Sequence, residues 1–285
     1  MSEHLDKRRH PWRDDLAAQS LRGRVKAPRY VKGEPRQITC ALAGLRKAPG
    51  PGAMLLTQGL MGESFSIYDQ QGEWAWGQLE TDGYVGYMHT RHLRADPAAP
   101  SHFVHAARSH IYPQADIKST PLACLSMMAK IHVVGQQGIF AQLQGGGYMI
   151  ASHLRPVDKP EDDFVEVAAR FLNTPYLWGG RSASGIDCSA LVQVALAACG
   201  VAAPRDSDMQ EAELFTSLPG GMADNVPARG DLVFWPGHVG IMWSQTELLH
   251  ANGHHMMTVI EPLKTAILRI EPDNGPPRRL KRGPA

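Results

Sequence analysis

The most apolar part of the chain lies in its second half and has the pattern of a buried helix. Asp187 is a favourable N-cap residue before this stretch, and Gly200 is a favourable residue to follow a helix. Apolar residues occupy most faces between them, at Leu191, Val192, Val194, Ala195, Leu196 and Ala198. We expect this helix in the centre of a domain, with only its first turn open to a cleft.

An earlier helical pattern is apolar on one side only. Its apolar stripe consists of Phe164, Val167, Ala168, Phe171 and Leu172. This spacing predicts an amphipathic helix that packs against a core. The preceding residues 156–163 are polar and contain two prolines, as is typical of an interdomain linker.

Short apolar runs after residue 229 predict strands. Residues 230–243 form two such runs joined by a Pro-Gly turn, and His238 opens the second run. Residues 247–252 predict a third strand that contains His250. The two histidines are 12 residues apart, a separation that suits adjacent antiparallel strands, so we expect both imidazoles on one face of a sheet.

The first half of the chain contains an internal repeat of β-like character. The sequence Tyr-Met-His-Thr-Arg-His-Leu-Arg at 87–94 recurs as Tyr-Met-Ile-Ala-Ser-His-Leu-Arg at 148–155. Short β-like runs precede each copy, at 64–68 and 74–76 and again at 130–134 and 139–143. Two repeat units, each with several short strands, predict two small β-barrels in tandem.

These patterns divide the chain into four parts. We expect an N-terminal extension over 1–35, a first barrel over 36–96, a second barrel over 97–157 and a catalytic domain over 158–285 that ends in a basic tail. The basic runs at 7–10 and 278–282 are interpreted as solvated tails. The predicted fold class is α+β.

Composition narrows the classes of partner and compartment. A net charge of +1 gives no electrostatic reason to expect nucleic acid or an anionic membrane surface as a partner. The chain has no long apolar window and no apolar segment near residue 1, which predicts a cytoplasmic protein without a membrane span. The four cysteines have neither metal-ligand nor disulfide spacing and indicate a reducing compartment.

Cys188 is the candidate nucleophile because it lies where a Gly-rich loop meets the buried helix. The helix dipole and unsatisfied N–H groups favour thiolate there, which predicts a lowered pKa for Cys188. The alternative is an inert buried thiol. A cysteine nucleophile also needs a base and a group that orients the base, and His238 and His250 can fill these two roles.

Six motifs follow one another in order from residue 174 onward. They are Thr-Pro-Tyr-Leu-Trp-Gly-Gly at 174–180, Gly-Ile-Asp-Cys-Ser at 185–189, Arg-Asp-Ser-Asp-Met-Gln at 205–210, Gly-Asp-Leu-Val-Phe at 230–234, Gly-His-Val-Gly-Ile at 237–241 and His-Ala-Asn at 250–252. With these motifs, residues from about 160 to 270 resemble the NlpC/P60 family of papain-like cysteine peptidases. Ala190 departs from the family, which usually has glycine there. The first barrel resembles a bacterial SH3 domain, and the second resembles a degenerate one.

The resemblance implies a catalytic set of Cys188, His238 and His250, a fold with the cysteine-bearing helix packed on an antiparallel sheet, and no metal or organic cofactor. It also implies hydrolysis of the bond between γ-D-glutamate and a diamino acid in murein peptides that have a free N-terminal L-Ala, as part of murein recycling. The residues implied to bind this substrate are Tyr176, Trp178, Asp187, Ser189, Asp206 and Ser207, with Glu63 and Tyr84 of the first barrel closing the pocket. The acids would pair with the free amine.

Three other interpretations remain open at this point. The protein could be a non-catalytic module that binds wall peptides, although the intact Cys-His-His set argues against this. The thiol could instead transfer the acyl group to an amine or a lipid. A metal site formed by His238, His250, His254 and His255 is disfavoured, because their spacing does not bring three nitrogens together on one strand face.

Overall fold

The computed structural model describes residues 5–95 and 98–283 and divides into two compact units. The first unit is Met1–Asp158 and the second is Lys159–Ala285. The predicted boundary between the two barrels, at 96/97, lies outside the described residues, and the division at 35/36 stays a prediction. Within the described part of the chain, no helix has the length and apolar character needed to cross a membrane.

The first unit is built almost entirely of strands. They are β1 (Ala17–Ala18), β2 (Tyr30–Val31), β3 (Glu34–Ile38), β4 (Leu42–Arg46), β5 (Leu55–Leu60), β6 (Ser64–Gln71), β7 (Trp74–Leu79), β8 (Val85–His89), β9 (Leu93–Arg94), β10 (His102–Val104), β11 (Arg108–Ile111), β12 (Ala123–Ser126), β13 (Lys130–Ile131), β14 (Val133–Gln137), β15 (Phe140–Leu143), β16 (Tyr148–Ile150) and β17 (Leu154–Pro156). Single 3₁₀ turns occupy Gln19–Leu21, Thr90–His92 and Ala151–His153.

The first barrel is a single antiparallel sheet of seven strands in the order β5-β4-β8-β7-β6-β3-β9. Its inward side chains form one core of Ile38, Ala43, Leu45, Phe65, Ala75, Leu79, Tyr84 and Met88. Gly77 is required for this packing, because a Cβ there would lie 2.5 Å from the Phe65 ring. The absence of a side chain at Gly77 therefore leaves room for the Phe65 ring in the barrel interior.

The residues before β3 are folded against the first barrel. Leu16 is buried with Trp76 and Val85 of the sheet. The Arg13 guanidinium lies over the Trp76 ring, 4.6 Å from its centroid. The basic run at 7–10 is also held there, since its backbone carbonyls accept hydrogen bonds from the barrel at 2.8 Å. The prediction of a solvated basic tail at 7–10 is wrong, because backbone pairing fixes this run.

The second barrel consists of three small sheets, β13-β10-β17, β11-β12 and β14-β15-β16. The internal repeat has a structural counterpart here. In each copy a strand, a 3₁₀ turn and a second strand follow one another, as β8, Thr90–His92 and β9 in the first copy and as β16, Ala151–His153 and β17 in the second. The shared sequence therefore corresponds to a shared local fold.

The second unit combines five helices with two sheets. The elements are α1 (Phe164–Ala169), β18 (Arg181–Ser182), β19 (Gly185–Ile186), α2 (Cys188–Ala198), α3 (Ser207–Glu213), β20 (Thr216–Ser217), α4 (Gly221–Asp224), β21 (Leu232–Trp235), β22 (His238–Met242), β23 (Glu247–Asn252), β24 (Met257–Pro262), α5 (Leu263–Asn274) and β25 (Arg279–Arg282). The larger sheet has the strand order β20-β25-β21-β22-β23-β24. Helix α2 packs against β22 and β23 of this sheet.

Helix α2 has the boundaries that its sequence predicts. The Asp187 side chain caps it by accepting a hydrogen bond from the Ala190 N–H, and Gly200 follows it with φ of 77°. All residues of the helix except Ala197 are buried. The strongly apolar helix is therefore the core element of the second unit, as predicted.

The predicted apolar stripe over 164–172 is confirmed only in part. Helix α1 ends at Ala169, and Phe171 is buried in the turn that follows it. Leu172 is 37% exposed, whereas Val165, which was not assigned to the stripe, is buried. The prediction for Leu172 is wrong because the chain leaves the helical path after Ala169, so the helical spacing no longer applies.

The basic run at 278–282 is also not a tail. Strand β25 pairs with β20 on one side and β21 on the other, and Leu280 lies in the core. The Lys281 side chain is 4% exposed, and its Nζ donates to the Leu214 carbonyl at 2.6 Å. The prediction of a basic tail at 278–282 is wrong. Leu280 anchors this run in the core, and backbone hydrogen bonds to β20 and β21 make it a strand of the sheet.

Candidate active site

Cys188 is the first residue of α2 and is fixed by its neighbour Asp187. The Asp187 carboxylate accepts hydrogen bonds from the Ala190 N–H of the helix and the Gly179 N–H of the preceding loop, both at 2.9 Å. Gly179 has φ of 74°, a conformation that glycine adopts without strain. One carboxylate thus ties the glycine loop to the start of the helix, where the thiol lies 7% exposed.

The two predicted histidines do lie together on adjacent strands. β22 and β23 pair antiparallel, and Nε2 of His238 is 2.8 Å from Nδ1 of His250. His250 is fully buried, and His238 is half-buried. The Trp235 ring lies 5.7 Å from the His238 ring and limits the positions that the imidazole can take.

The thiol and the histidine pair belong to one site. Helix α2 packs on β22, and the backbone N–H groups of Val239 and Ser189 hydrogen-bond toward the Cys188 thiol. Val239 directly follows His238, so the strand that presents the imidazole also contacts the sulfur. The predicted catalytic residues are therefore brought together at the contact between α2 and β22.

The electrostatics of the resting site differ from the sequence prediction. Burial, with a further contribution from the Asp187 carboxylate, raises the pKa of the Cys188 thiol to about 12 despite opposing effects of Val239, Arg205 and Ser189. Burial also lowers the pKa of His238 to about 3. The predicted lowering of the thiol pKa is wrong for the substrate-free protein, because desolvation outweighs the helix terminus.

A carboxylate that the sequence did not indicate lies behind the second histidine. Nε2 of His250 is 2.8 Å from Oε1 of Glu261, and Glu261 in turn forms an ion pair with Arg269. Burial acts against ionisation of Glu261, but the hydrogen bond from His250 and the charge of Arg269 lower its pKa overall. Strand pairing could have revealed it, since His250 is opposite Val259 and Glu261 is on the same face as Val259.

The Asp187 carboxylate is surrounded by hydrogen-bond donors of the protein itself. Arg205 donates to both of its oxygens, at 2.9 and 2.6 Å, and both side chains are buried. The Asp187 carboxylate thus accepts hydrogen bonds from Arg205 and from the backbone N–H groups of Gly179 and Ala190. A role for Asp187 in pairing with the substrate amine stays a prediction, which these contacts do not support. Its capping role, noted from the sequence, is the one that the structure supports.

The other predicted pocket residues of the second unit differ in their contacts and in their exposure. The Ser189 hydroxyl donates to Asp187 and accepts from Arg205, at 3.2 and 2.9 Å. Burial, and next the Cys188 thiol, raise the pKa of Tyr176, so the phenol lies near the nucleophile. Trp178 is 65% exposed. Asp206 is the N-cap residue of α3, and Ser207 is its first residue.

Glu63 and Tyr84 are buried in the first unit. The Glu63 carboxylate accepts hydrogen bonds from the Leu60 N–H at 2.8 Å and the Thr81 hydroxyl at 3.0 Å. Tyr84 belongs to the core of the first barrel. A role for either residue in substrate binding stays a prediction.

The histidines proposed as a metal-site alternative are engaged with one another and with the carboxylate. His250 has its two ring nitrogens facing His238 and Glu261, and the rings of His254 and His255 stack edge to face with centroids 4.8 Å apart. Over residues 5–95 and 98–283, no group of three or more His, Cys, Asp or Glu side chains has a metal-binding arrangement.

A buried thiol at a helix start, with a supported imidazole on the adjoining strand, is the arrangement that cysteine peptidases use. Comparison with known proteins gives the family. Residues 173–269 match the NlpC/P60 family, and residues 45–93 match the bacterial dipeptidyl-peptidase SH3 domain. These matches assign residues 173–269 to a peptidase domain of the NlpC/P60 type, which a bacterial SH3 domain precedes along the chain.

Curated relatives and solved structures agree with this family. The chain is 36% identical over 103 residues to dipeptidyl-peptidase 6 of Lysinibacillus sphaericus, a match that spans 36% of either protein. It is 28% identical over 221 residues to the gamma-D-glutamyl-L-lysine dipeptidyl-peptidase of Bacillus subtilis, covering 70% of this chain and 72% of that protein. The fold resembles an NlpC/P60 family protein from Bacillus cereus with a TM-score of 0.73 at 20% identity, over 87% of this chain and 99% of that one.

Proposed function

We propose that this peptidase hydrolyses the amide bond between γ-D-glutamate and the following diamino acid in peptidoglycan-derived peptides that have a free N-terminal L-Ala. The main observation in support is the contact of Cys188 with the strand that presents His238, which in turn lies 2.8 Å from His250. The bond that is cut is inferred from relatives named gamma-D-glutamyl-L-lysine dipeptidyl-peptidase.

In the first half of the reaction, Cys188 is the nucleophile and His238 the base. The sulfur attacks the amide carbonyl carbon as the thiol proton passes to His238. The backbone N–H of Cys188, at the start of α2, would donate to the oxyanion that forms. The C–N bond then breaks, and His238 gives its proton to the leaving amine. A thioester on Cys188 remains.

In the second half, water replaces the amine. His238 accepts a proton from water as the water oxygen attacks the thioester carbonyl. The C–S bond breaks, and the proton returns to the sulfur, which restores Cys188 and His238 to their starting forms. The products are L-Ala-γ-D-Glu and the peptide that begins with the diamino acid. His250 orients His238 throughout.

Recognition of the free amine is assigned to Asp206, since Asp187 is occupied by Arg205. An ammonium group removed from water requires a paired negative charge. Asp206 and Ser207 lie at the start of α3, directly after Arg205 in the chain. Tyr176 and Trp178 would line the glutamyl part of the pocket.

The test compares four peptides by mass spectrometry of the products. They are L-Ala-γ-D-Glu followed by meso-diaminopimelate or by L-Lys, each with a free and with an acetylated N-terminus. Release of L-Ala-γ-D-Glu from the free-amine peptides alone would support the proposal. Equal cleavage of acetylated peptides would contradict the amine requirement, and no cleavage with Cys188 intact would favour a wall-peptide binding module or a thiol acyltransferase.

We further propose that the substrates are recycled murein peptides in the cytoplasm. The four cysteines are unpaired, and free thiols are typical of a reducing compartment. Fractionation of the producing cells, with immunodetection of the protein, tests this location. Recovery of the protein outside the membrane would contradict it.

A further inference from the structure

Two polar groups face Nε2 of His250, and they determine which ring nitrogen of His250 is protonated. Nε2 of His250 has two polar neighbours, the Glu261 carboxylate oxygen at 2.8 Å and the Asn252 amide nitrogen at 3.0 Å. The carboxylate can only accept a hydrogen bond, and the amide nitrogen can only donate one. The two neighbours therefore favour opposite tautomers of His250, and the stronger of them sets the tautomer.

The orientation of Asn252 is fixed by a third group. Its Oδ1 accepts a hydrogen bond from the His255 backbone N–H at 2.9 Å, so its nitrogen faces His250. Glu261 is held ionised beside the Arg269 guanidinium, and His255 lies farther from the same carboxylate, at 4.0 Å. A hydrogen bond to an ionised carboxylate is stronger than one from a neutral amide. Nε2 of His250 thus holds the proton and donates it to Glu261.

This choice determines the state of His238. With Nε2 protonated, Nδ1 of His250 has a lone pair, and it faces Nε2 of His238 at 2.8 Å. His238 must then donate from Nε2, which leaves its Nδ1 unprotonated and able to accept the thiol proton. If His250 held its proton on Nδ1 instead, His238 would accept at Nε2 and would have no basic nitrogen for Cys188.

We propose that Glu261 is a positioning residue of the active site, which fixes the tautomer of His250 and through it that of His238. Glu261 has no contact with the thiol in this arrangement and acts only through the two imidazoles. The inference rests on the proposed roles of Cys188 and His238, but not on the identity of the peptide substrate.

The decisive measurement needs no substrate. In protein labelled with ¹⁵N-histidine, ring nitrogen resonances should show Nε2–H tautomers for both His238 and His250. Glu261→Gln should shift His250 toward the Nδ1–H form, because Asn252 then competes with a neutral partner. A wild-type His250 in the Nδ1–H form, or a tautomer unchanged in Glu261→Gln, would overturn the proposal.

Reactivity of the thiol gives a second readout. Alkylation of Cys188 by iodoacetamide, followed by mass spectrometry of its peptide, should slow about tenfold or more in Glu261→Gln, as for a loss of one pKa unit of thiolate stabilisation. Glu247→Gln, on the same strand as His250 and hydrogen-bonded to Ser244, is the matched control and should stay within about twofold of wild type. Equal rates in the two variants would overturn the proposal.

Turnover provides the final comparison. With any peptide that the enzyme cleaves, kcat of Glu261→Gln should fall about 100-fold or more with little change in KM, since the tautomer matters only for proton transfer. If Glu261→Gln does not fold, the tautomers of His238 and His250 measured in the wild-type protein still test the proposal. An enzyme that rejects γ-D-glutamyl peptides but shows the predicted tautomers and alkylation rates would refute the proposed substrate and leave the role of Glu261 standing.

Discussion

Arg205 donates to both carboxylate oxygens of Asp187, the residue that caps the nucleophile helix, and the two side chains are buried together. The same guanidinium reaches the Ser189 hydroxyl at 2.9 Å. The residues on either side of Cys188 are thus joined through one cation. The position of the thiol depends on an ion pair that contains no catalytic atom.

Removal of Arg205 should therefore destabilise the second unit. Arg205→Met leaves a buried carboxylate without its cation, which costs about 3–5 kcal/mol in the free energy of unfolding. Urea unfolding followed by pulse proteolysis, with detection of peptides from 159–283, measures this loss. Arg229→Met is the control, because its ion pairs with Asp163 and Glu166 are exposed and contribute at most about 1 kcal/mol. A loss for Arg205→Met no larger than the control would refute this role.

Cys188→Ala should abolish hydrolysis, with kcat at least about 1000-fold below wild type, because the nucleophile is removed. Peptide binding, measured by calorimetry, should remain. Cys199→Ala is the matched control at the other end of α2 and should retain wild-type kcat. Near-normal turnover by Cys188→Ala would exclude thiol catalysis.

Asp206→Asn should raise KM for peptides with a free N-terminal amine about 10-fold or more, since a charged partner of the ammonium is lost. The preference for free over acetylated peptides should shrink by the same factor. Asp208→Asn, two residues farther along α3 at an exposed position, is the control and should change neither value. An unchanged preference in Asp206→Asn would assign the amine to another group.

Acid should weaken the second unit through His238. Its folded-state pKa is about 3, while the unfolded chain binds the proton near pH 6.5. Between these values the unfolded state holds the extra proton, so the free energy of unfolding falls as pH decreases from 6.5 toward 3 and is unaffected above that window. Each unit of pH costs about 1.4 kcal/mol per histidine in this state.

Urea midpoints at pH 7, 6 and 5 test this dependence. The lowered pKa of His250 should add to the slope. In His238→Gln the slope should be reduced by about one proton, because one buried titrating group is gone. A slope identical to that of wild type would show that the pKa of His238 does not differ between the folded and the unfolded chain.

The local elements of the site were predictable from the sequence. The Asp187 cap, the apolar run and Gly200 define α2, and the turn at Pro236-Gly237 places His238 at the start of β22. These features depend on residues that are close along the chain. Capping, turn formation and strand alternation are local, so single residues indicate them directly.

The electrostatic partners were not predictable in this way. Arg205 is 18 residues from Asp187, and Glu261 is 11 residues from His250, so each pair forms only through the fold. The raised pKa of Cys188 depends on burial by neighbouring elements, which a helix N-terminus alone does not indicate. The prediction of a solvated tail at 278–282 is wrong because the sequence shows the charge of this run but not the two strands with which it pairs.

The position of β25 has a consequence for how the protein is synthesised. This strand lies between β20 and β21, although it is the last of the sheet to be translated. The first unit can complete its barrels while the ribosome is still adding later residues, since domains fold as units during synthesis. The peptidase sheet, by contrast, has a gap between β20 and β21 until residue 282 has left the exit tunnel, so this sheet is completed after the barrels.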